Sequence, residues 1–157
     1  MNALWAEPVD FDGLRAAVTA SRVETFARRY YALFNDRRLD EAEALVHPEA
    51  IFTYPDAQEQ FIGRAGYHEL AQRWEEAFPD ADLSITDMTV VGDTVCTEWL
   101  FTGTHLGTLD IPGFPTIPSS TRAVQLMMTE TIRVVKGLVV ESRLEFDVEE
   151  LRRRLGF

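Results

Sequence analysis

The sequence predicts an α+β domain, because helical patterns fill its first half and strand patterns its second half. Apolar residues recur at helical spacing as far as Phe78, whereas segments rich in Val, Thr and Ile begin at Leu83. Tight connections at residues 92–93 and 136–137 join neighbouring strand segments, so we expect a largely antiparallel sheet. A chain of 157 residues is long enough for one domain with a core or a ligand-sized cavity.

The helical half begins with a weak segment that is followed by a strong one. Residues 1–20 are interrupted by a proline and a glycine, so we treat them as an N-terminal extension and assign residues 21–157 to the domain. Ser21 and Glu24 form a capping box at the start of the strong helix. The elements expected in this half are helices over residues 14–20, 21–34 and 39–46, a helix that begins at residue 63 or 65 and ends at residue 78, and a strand over residues 50–54.

The second half contains four strand segments and a closing helix, which Asp147 is placed to cap. A long connection with three prolines, residues 107–120, separates the middle two strands. It is either a stiff lid beside a pocket or only a connection, and the sequence favours neither. The segments are strands over residues 83–91, 94–106, 121–135 and 138–147, and a helix over residues 148–155.

The composition excludes several classes of partner. A formal net charge of −11 and a pI near 4.6 argue against binding to nucleic acid or to an anionic membrane. No apolar run reaches membrane-spanning length, and the single cysteine, Cys96, fits a reducing compartment, so we expect a cytoplasmic protein. The histidines form no metal-ligand pattern and no phosphate-binding loop appears, so we expect neither a metal nor a cofactor.

Strand periodicity predicts which side chains face the interior of the sheet. Alternate residues share a face, so Trp99, Phe101 and His105 lie on one side of their strand. On the following strand, the face that holds Glu130 is otherwise apolar and includes Met128. The interior is therefore expected to be an apolar cavity that binds a small apolar substrate.

The opposite face of the same two strands is mixed in character. Leu100 and Met127 lie there among threonines and charged residues. An exposed face with apolar side chains suits contact with a second copy of the chain, so we expect a homodimer.

Two titratable groups of the interior are candidate catalysts. A lone imidazole or carboxyl group in an apolar cavity moves protons where water cannot compete. A buried Glu130 has a raised pKa, and it either donates a hydrogen bond when neutral or accepts a proton when ionised. The alternatives are structural: His105 is a core histidine with a satisfied hydrogen bond, or Glu130 pairs with Arg133 or Arg143 at a sheet edge.

The run Gly-Thr-His-Leu-Gly at residues 103–107 resembles the SnoaL-like polyketide cyclases of the NTF2-like superfamily. The loop at residues 111–113, the turn at 136–137 and the closing helix fit the same family, and the resemblance covers residues 21–157. It implies a curved antiparallel sheet wrapped by N-terminal helices, an α+β barrel. In these cyclases the matching histidine lies in the active site beside an acidic acid–base catalyst, which implies a catalytic role for His105.

Residues 29–35, Arg-Tyr-Tyr-Ala-Leu-Phe-Asn, followed by Leu-Asp, are similar to the first helix of ketosteroid isomerases. There the first tyrosine donates to an oxyanion, a role that falls on Tyr30. The segment Glu-Thr-Ile-Arg at residues 130–133 resembles the strand that supplies the second donor, a protonated acid, and this role falls on Glu130. The isomerase's carboxylate base precedes a proline, where this chain has Tyr54 before Pro55, so that base is missing.

Limonene epoxide hydrolases, a third group in the superfamily, hold water against an epoxide with acids, an arginine, a tyrosine and an asparagine. The positions that correspond here are mostly apolar, so we do not expect epoxide hydrolysis. They are Phe52, Tyr54, Trp99, Phe101 and Leu144.

The resemblance and the residues together predict a cofactor-independent cyclase or isomerase of a polyketide-like or terpenoid small molecule. His105 or ionised Glu130 removes a proton next to a carbonyl, and Tyr30 stabilises the enolate. The alternatives are a cyclase that acts by shape alone, in a pericyclic or spiro-ring closure, and a binding module without catalysis. The residues expected to bind substrate are Phe34, Phe52, Tyr54, Trp74, Trp99, Phe101, Phe114, Leu126, Met128 and Leu144.

Overall fold

Helices fill the first half of the chain and strands the second, which confirms the predicted α+β class. The computed structural model describes residues 8–55 and 57–157. Its elements are α1 (Phe11–Asn35), α2 (Leu39–Glu43), β1 (Val46–Thr53), β2 (Phe61–Ile62), α3 (Gly63–Ala77), β3 (Asp82–Val91), β4 (Thr94–Thr104), β5 (Ala123–Val135), β6 (Leu138–Glu145) and α4 (Val148–Arg154). Within the described residues, no helix combines the length and the apolar composition that crossing a membrane requires.

The six strands form one curved sheet in the order β2-β1-β6-β5-β4-β3. Four of the strand pairs are antiparallel, as predicted, and β1 runs parallel to β6. The sheet is not closed, because β2 and β3 are its two edges. The two-residue strand β2 and the parallel pair were not predicted, since neither a very short strand nor strand direction leaves a periodic signal in the sequence.

Helix α1 begins earlier than predicted, so the proposed start at Ser21 is wrong. The cap is Asp10, whose carboxylate accepts a hydrogen bond from the Gly13 N–H at 2.9 Å. Gly13 lies in the first turn, where a glycine costs little, and the segments 14–20 and 21–34 are one continuous helix. The first turns are exposed, and the face that packs on the sheet begins at Val23.

The other predicted boundaries differ by a few residues. Helix α2 ends at Glu43 and β1 already begins at Val46, because the backbone of Val46 pairs with Val139 of β6. Strand β4 ends at Thr104, and β5 begins at Ala123. These shifts leave the predicted inner and outer faces unchanged.

The predicted alternation along β4 and β5 is confirmed. On β5 the side chains that share a face with Glu130 are buried, whereas Gln125, Met127 and Arg133 are exposed. The two strands pair so that Thr97 lies opposite Glu130, and Trp99 opposite Met128. This register brings the predicted interior residues to one concave face.

The connection over residues 107–120 packs into the molecule. Leu109 and Ile117 pair through two backbone hydrogen bonds, and both side chains are buried together with Ile111. A segment held by its own buried apolar side chains is anchored, so the structure favours the connection over the lid.

The end of α1 is fastened to the start of β3 through side-chain hydrogen bonds. The Asn35 amide donates to the Leu83 carbonyl at 3.0 Å and accepts from the Leu83 N–H at 2.8 Å. The Arg37 guanidinium donates to the carbonyl oxygens of Pro79 and Ala81, each at 2.7 Å. These contacts fix where the last turns of α1 lie above the concave face of the sheet.

We expect Asn35→Ala to lower the free energy of unfolding by about 2 kcal/mol, because two hydrogen bonds to one strand residue are lost. Asn35→Asp is the matched control: it keeps the acceptor for the Leu83 N–H, loses the donor, and should show about half of the loss. Urea unfolding followed by circular dichroism measures both, and an unchanged midpoint for Asn35→Ala would show that the fastening contributes nothing.

Candidate active site

An apolar cavity, here called the inner cavity, lies between the concave face of the sheet and helices α1 and α3. Its volume is about 90 Å³. Pockets that enclose drug-sized ligands usually measure about 300–1,000 Å³. In this conformation the inner cavity therefore has room for a compact group, such as the reacting part of a larger substrate.

Most of the residues that were expected to bind substrate line the inner cavity. Glu130 and Tyr30 also face it, and further lining residues that were not predicted include Tyr31, Tyr67 and Ser142. The predicted residues found in its wall are Phe34, Phe52, Tyr54, Trp74, Trp99, Phe101, Met128 and Leu144.

Two of the expected substrate-binding residues do not line the inner cavity. Leu126 has the predicted inward orientation. It lies two residues before the cavity residue Met128 on β5, opposite Phe101 of β4, and is buried in the core. Phe114 belongs to the anchored connection and is partly buried against the core. Strand parity identified the face of Leu126 correctly, and it does not indicate where along the strand a cavity ends.

Glu130 is the carboxyl group of the described cavity wall, and only 9% of the residue is exposed. The Ser142 hydroxyl donates a hydrogen bond of 2.6 Å to its Oε1. Burial raises the pKa of the Glu130 carboxyl above 4.5, and the hydroxyls of Ser142 and Tyr31 oppose that shift. The carboxyl is thus held towards its neutral form by its surroundings.

The alternative in which Glu130 pairs with an arginine is wrong. Arg133 pairs with Asp93 at 3.1 Å, and Arg143 pairs with Glu145 at 2.9 Å, both on the exposed side of the sheet. Alternation along β5 turns Arg133 to the face opposite Glu130. Arg143 of β6 pairs with Thr131 of β5, so it lies on that same outer face.

Tyr31 lies closer to this chemistry than the sequence suggested. Its hydroxyl is near Glu130, Thr97 and Trp99. Burial and the Glu130 carboxyl raise the pKa of Tyr31, whereas Thr97 and Trp99 act in the opposite direction. The similarity to isomerases implied a role for Tyr30 alone, so Tyr31, the next residue of the same helix, was not predicted as a site residue.

The other tyrosines of the inner cavity form its aromatic wall. Tyr30 and Tyr67 pack with their ring centroids 5.5 Å apart, and burial raises the pKa of both. The Trp74 indole N–H donates to the Tyr54 hydroxyl, and burial also raises the pKa of Tyr54. These phenols therefore stay protonated at neutral pH and serve as hydrogen-bond donors.

The structure does not bring His105 into the inner cavity or near Glu130. Its ring stacks on Phe78 at 5.2 Å, and Phe78 in turn packs edge-on against the cavity residue Phe101 at 5.0 Å. His105 shares the inward face of β4, but it follows the last residue of that strand and lies beyond the end of the cavity.

His105 is instead joined to the anchored connection. The Ser120 N–H donates to Nδ1 at 3.2 Å, and the Ser120 hydroxyl lies 3.0 Å from the same nitrogen. Because Nδ1 accepts from a backbone N–H, the neutral ring carries its proton on Nε2. Burial lowers the pKa of His105, with the Gly107 carbonyl acting in the opposite direction, so the ring is neutral at pH 7.

Outside the inner cavity, and within the part of the chain that the structure describes, one group of side chains has the spacing of metal ligands. Asp40, Glu43 and His68 bring their ligand atoms within 4.8 Å of one another on the surface of α2 and α3. A contact of 3.0 Å between His68 Nδ1 and Glu43 accounts for part of this grouping.

The comparisons with known proteins agree with this architecture. The family model for SnoaL-like polyketide cyclases matches residues 24–155. No curated protein matches the chain.

Three solved structures illustrate the similarity of fold. A protein from Jannaschia Sp. CCS1, assigned as a SnoaL-like polyketide cyclase, is 16% identical with a TM-score of 0.77, covering 96% of this chain and 97% of that chain. AclR from Streptomyces galilaeus, assigned as a hydroxylase, is 23% identical with a TM-score of 0.72, covering 87% and 97%. A protein with a ketosteroid isomerase-like fold from Catenulispora acidiphila DSM 44928 is 12% identical with a TM-score of 0.68, covering 84% and 92%.

We expect His105→Leu to lower the free energy of unfolding at pH 7 by about 1 kcal/mol or more, because the partly buried Ser120 N–H loses its acceptor. His105→Asn offers an amide oxygen in place of Nδ1 and should recover part of the loss. Urea unfolding measures both variants.

The stability of the wild type should also depend on pH through His105. Its folded-state pKa is lowered from 6.5, so its contribution is complete above pH 6.5 and is lost as pH falls through the folded-state value. Urea unfolding between pH 8 and pH 5 should therefore show a smaller acid loss for His105→Asn. Equal losses in the two proteins would contradict this account of His105.

Proposed function

The chain belongs to the SnoaL-like polyketide cyclase family, and on that premise we propose that it is a cofactor-independent cyclase or isomerase of a polyketide-like or terpenoid small molecule. The similar folds include proteins assigned to different reactions, so the fold alone does not identify the chemistry. The reaction has to be inferred from the side chains of the inner cavity.

The observation that supports this proposal most directly is the position of Glu130. Among the described residues that line the inner cavity, it is the one carboxyl group, and neither a histidine nor an arginine or lysine accompanies it. A buried carboxyl with a raised pKa exchanges protons near neutral pH more readily than an exposed one. We therefore assign proton transfer to Glu130 rather than to His105, which lies behind the Phe78 ring.

Ionised Glu130 would remove a proton from a carbon next to a substrate carbonyl. The electron pair of the broken C–H bond passes into the enolate, whose oxygen accepts a hydrogen bond from the Tyr30 hydroxyl. The Ser142 hydrogen bond occupies Oε1 of Glu130 and orients the carboxylate, so Oε2 would be the oxygen that takes the proton.

The proton then returns from the same carboxyl group. In a cyclisation the enolate carbon attacks a second carbonyl carbon of the same molecule, a carbon–carbon bond forms, and the resulting alkoxide takes the proton from neutral Glu130. In an isomerisation of a β,γ-unsaturated ketone, the proton is removed from the α-carbon and returns to the γ-carbon of the dienolate. Both sequences regenerate ionised Glu130 and need no oxidant or reductant, and the aromatic wall would hold the reacting carbons together.

The outer face of the sheet supports the expected homodimer. Met127 is exposed on β5, and its cross-strand partner Leu100 on β4 is half-buried. Sedimentation velocity measures whether two copies associate.

We expect Glu130→Gln to reduce kcat/KM by about 10²- to 10⁴-fold, the contribution usual for a positioned acid–base group. Mass spectrometry of products from a panel of polyketide intermediates measures turnover, and deuterium exchange at the carbon beside a ketone measures proton removal. Glu145→Gln, an exposed change on the neighbouring strand, should leave both unchanged. Exchange and turnover at the wild-type rate in Glu130→Gln would exclude the mechanism.

The Glu130→Gln protein should be at least as stable as the wild type at neutral pH. The folded-state pKa of Glu130 is raised above 4.5, so its contribution to stability is full below pH 4.5 and is lost as pH rises through the folded-state value. Urea unfolding of both proteins at pH 7 measures the difference.

The activity of the wild type should also depend on pH through Glu130. Because the base must be ionised, kcat/KM should rise with pH through the raised pKa of Glu130. A rate independent of pH would favour closure by shape alone, and binding without product would favour a binding module.

A further inference from the structure

Three buried polar groups beside Glu130 lie near one another but form no hydrogen bond of normal length and angle with any described residue. They are the Tyr31 hydroxyl, the Thr97 hydroxyl and the Trp99 indole N–H, here called the donor cluster. The three residues are 3%, 0% and 5% exposed. Folded proteins satisfy nearly all of their buried donors, so three unsatisfied ones in a single place require an explanation.

The fold places the donor cluster around one point of the inner cavity. Thr97 and Trp99 are alternate residues on the inner face of β4, and Thr97 lies directly opposite Glu130 on β5. From α1, the Tyr31 ring packs against the Trp99 ring with centroids 6.1 Å apart. The Tyr31 hydroxyl lies near both β4 side chains and near the Glu130 carboxyl.

We propose that the donor cluster binds the substrate's reacting carbonyl oxygen, with the Trp99 N–H and the Tyr31 O–H as its donors. Both side chains line the inner cavity, whereas Thr97 does not and acts through the Tyr31 hydroxyl as a positioning residue. This inference rests on the proposed function and deepens it, because it names two further donors to the oxygen beside Tyr30.

The chemistry of the donor cluster narrows the class of substrate. An indole N–H only donates, so the group it holds must be a hydrogen-bond acceptor, and a hydrocarbon would leave it unsatisfied. No arginine or lysine lines the described part of the inner cavity, and the carboxyl of Glu130 is adjacent, so a carboxylate ligand is disfavoured. A neutral ketone, which becomes an enolate only during the reaction, fits both conditions.

Binding of 4-nitrophenol tests the proposal without any knowledge of the substrate. The probe is compact and planar, it can enter the cavity as the neutral phenol, and its absorbance reports both binding and the fraction that ionises beside the donors. The wild type should bind it, and Tyr31→Phe and Trp99→Phe should each weaken binding by about 10-fold, since each removes one donor to the probe's oxygen.

Trp74→Phe is the matched control for the indole. Trp74 lines the same cavity, but its N–H already donates to Tyr54, so this change should alter the affinity for the probe by less than about 3-fold. Thr97→Val should reduce the ionised fraction of the bound probe, because Tyr31 becomes a weaker donor.

Thermal unfolding distinguishes a binding role from a structural one. Removing an unsatisfied buried donor is neutral or stabilising, so Tyr31→Phe and Thr97→Val should unfold at the wild-type temperature or above it. If both changes lower the unfolding temperature, the donor cluster is part of the structural network and the proposal is wrong. Wild-type affinity for the probe in Tyr31→Phe and Trp99→Phe would likewise overturn it, and would indicate that water alone occupies the site.

Glu130→Gln separates this inference from the proposed function. The variant should still bind 4-nitrophenol, because the donor cluster is intact, although proton transfer is lost. If it also turns over substrate at the wild-type rate, the proposed function fails and the donor cluster stands. If turnover is lost as expected while the Tyr31 and Trp99 variants bind the probe normally, only the donor cluster fails.

Discussion

The architecture of the inner cavity depends on one constraint: a carboxyl group is buried without a cation. Moving an ionised carboxylate out of water is costly unless it is paired or hydrogen-bonded. The Glu130 carboxyl accepts one well-formed hydrogen bond, from Ser142, and it faces a cavity whose wall is largely aromatic. The neutral acid is therefore favoured, and the ionised form has to be stabilised by hydroxyl groups that belong to the reaction site.

The positions of the arginines follow from the same constraint. Alternation along β5 and β6 places Arg133 and Arg143 on the outer face, where each pairs with an acid in contact with solvent. Because Asn35 and Arg37 fix the end of α1 to the start of β3, the tyrosines of that helix lie above the carboxyl group instead. The site thus contains neutral donors, which suit a charge that exists only during a reaction.

Periodicity predicted the inner and outer faces of the sheet, and hence most of the cavity wall, because a residue's face depends only on local backbone geometry. Periodicity did not predict how far the cavity extends along β4 and β5. His105 and Leu126 were therefore assigned to a cavity wall that they do not reach. The start of α1 was also missed, since Ser21 has the character of a cap but lies inside a longer helix. Tyr31 was not predicted as a site residue, because successive helix residues lie about 100° apart and helical spacing alone assigns only one of the two tyrosines to the inner face.

The geometry of residues 103–107 explains why their pattern resembled an active-site motif. A side chain at Gly103 would meet Phe78 at 3.0 Å, and one at Gly107 would come within 2.1 Å of the Glu76 carbonyl oxygen, so α3 packs directly on this backbone. Between the two glycines, His105 accepts from the Ser120 N–H and holds the connection in place. In this chain the run therefore has a packing function, which accounts for both glycines and the histidine. The β4 residues that face the inner cavity or its donor cluster precede the run, between Thr97 and Phe101.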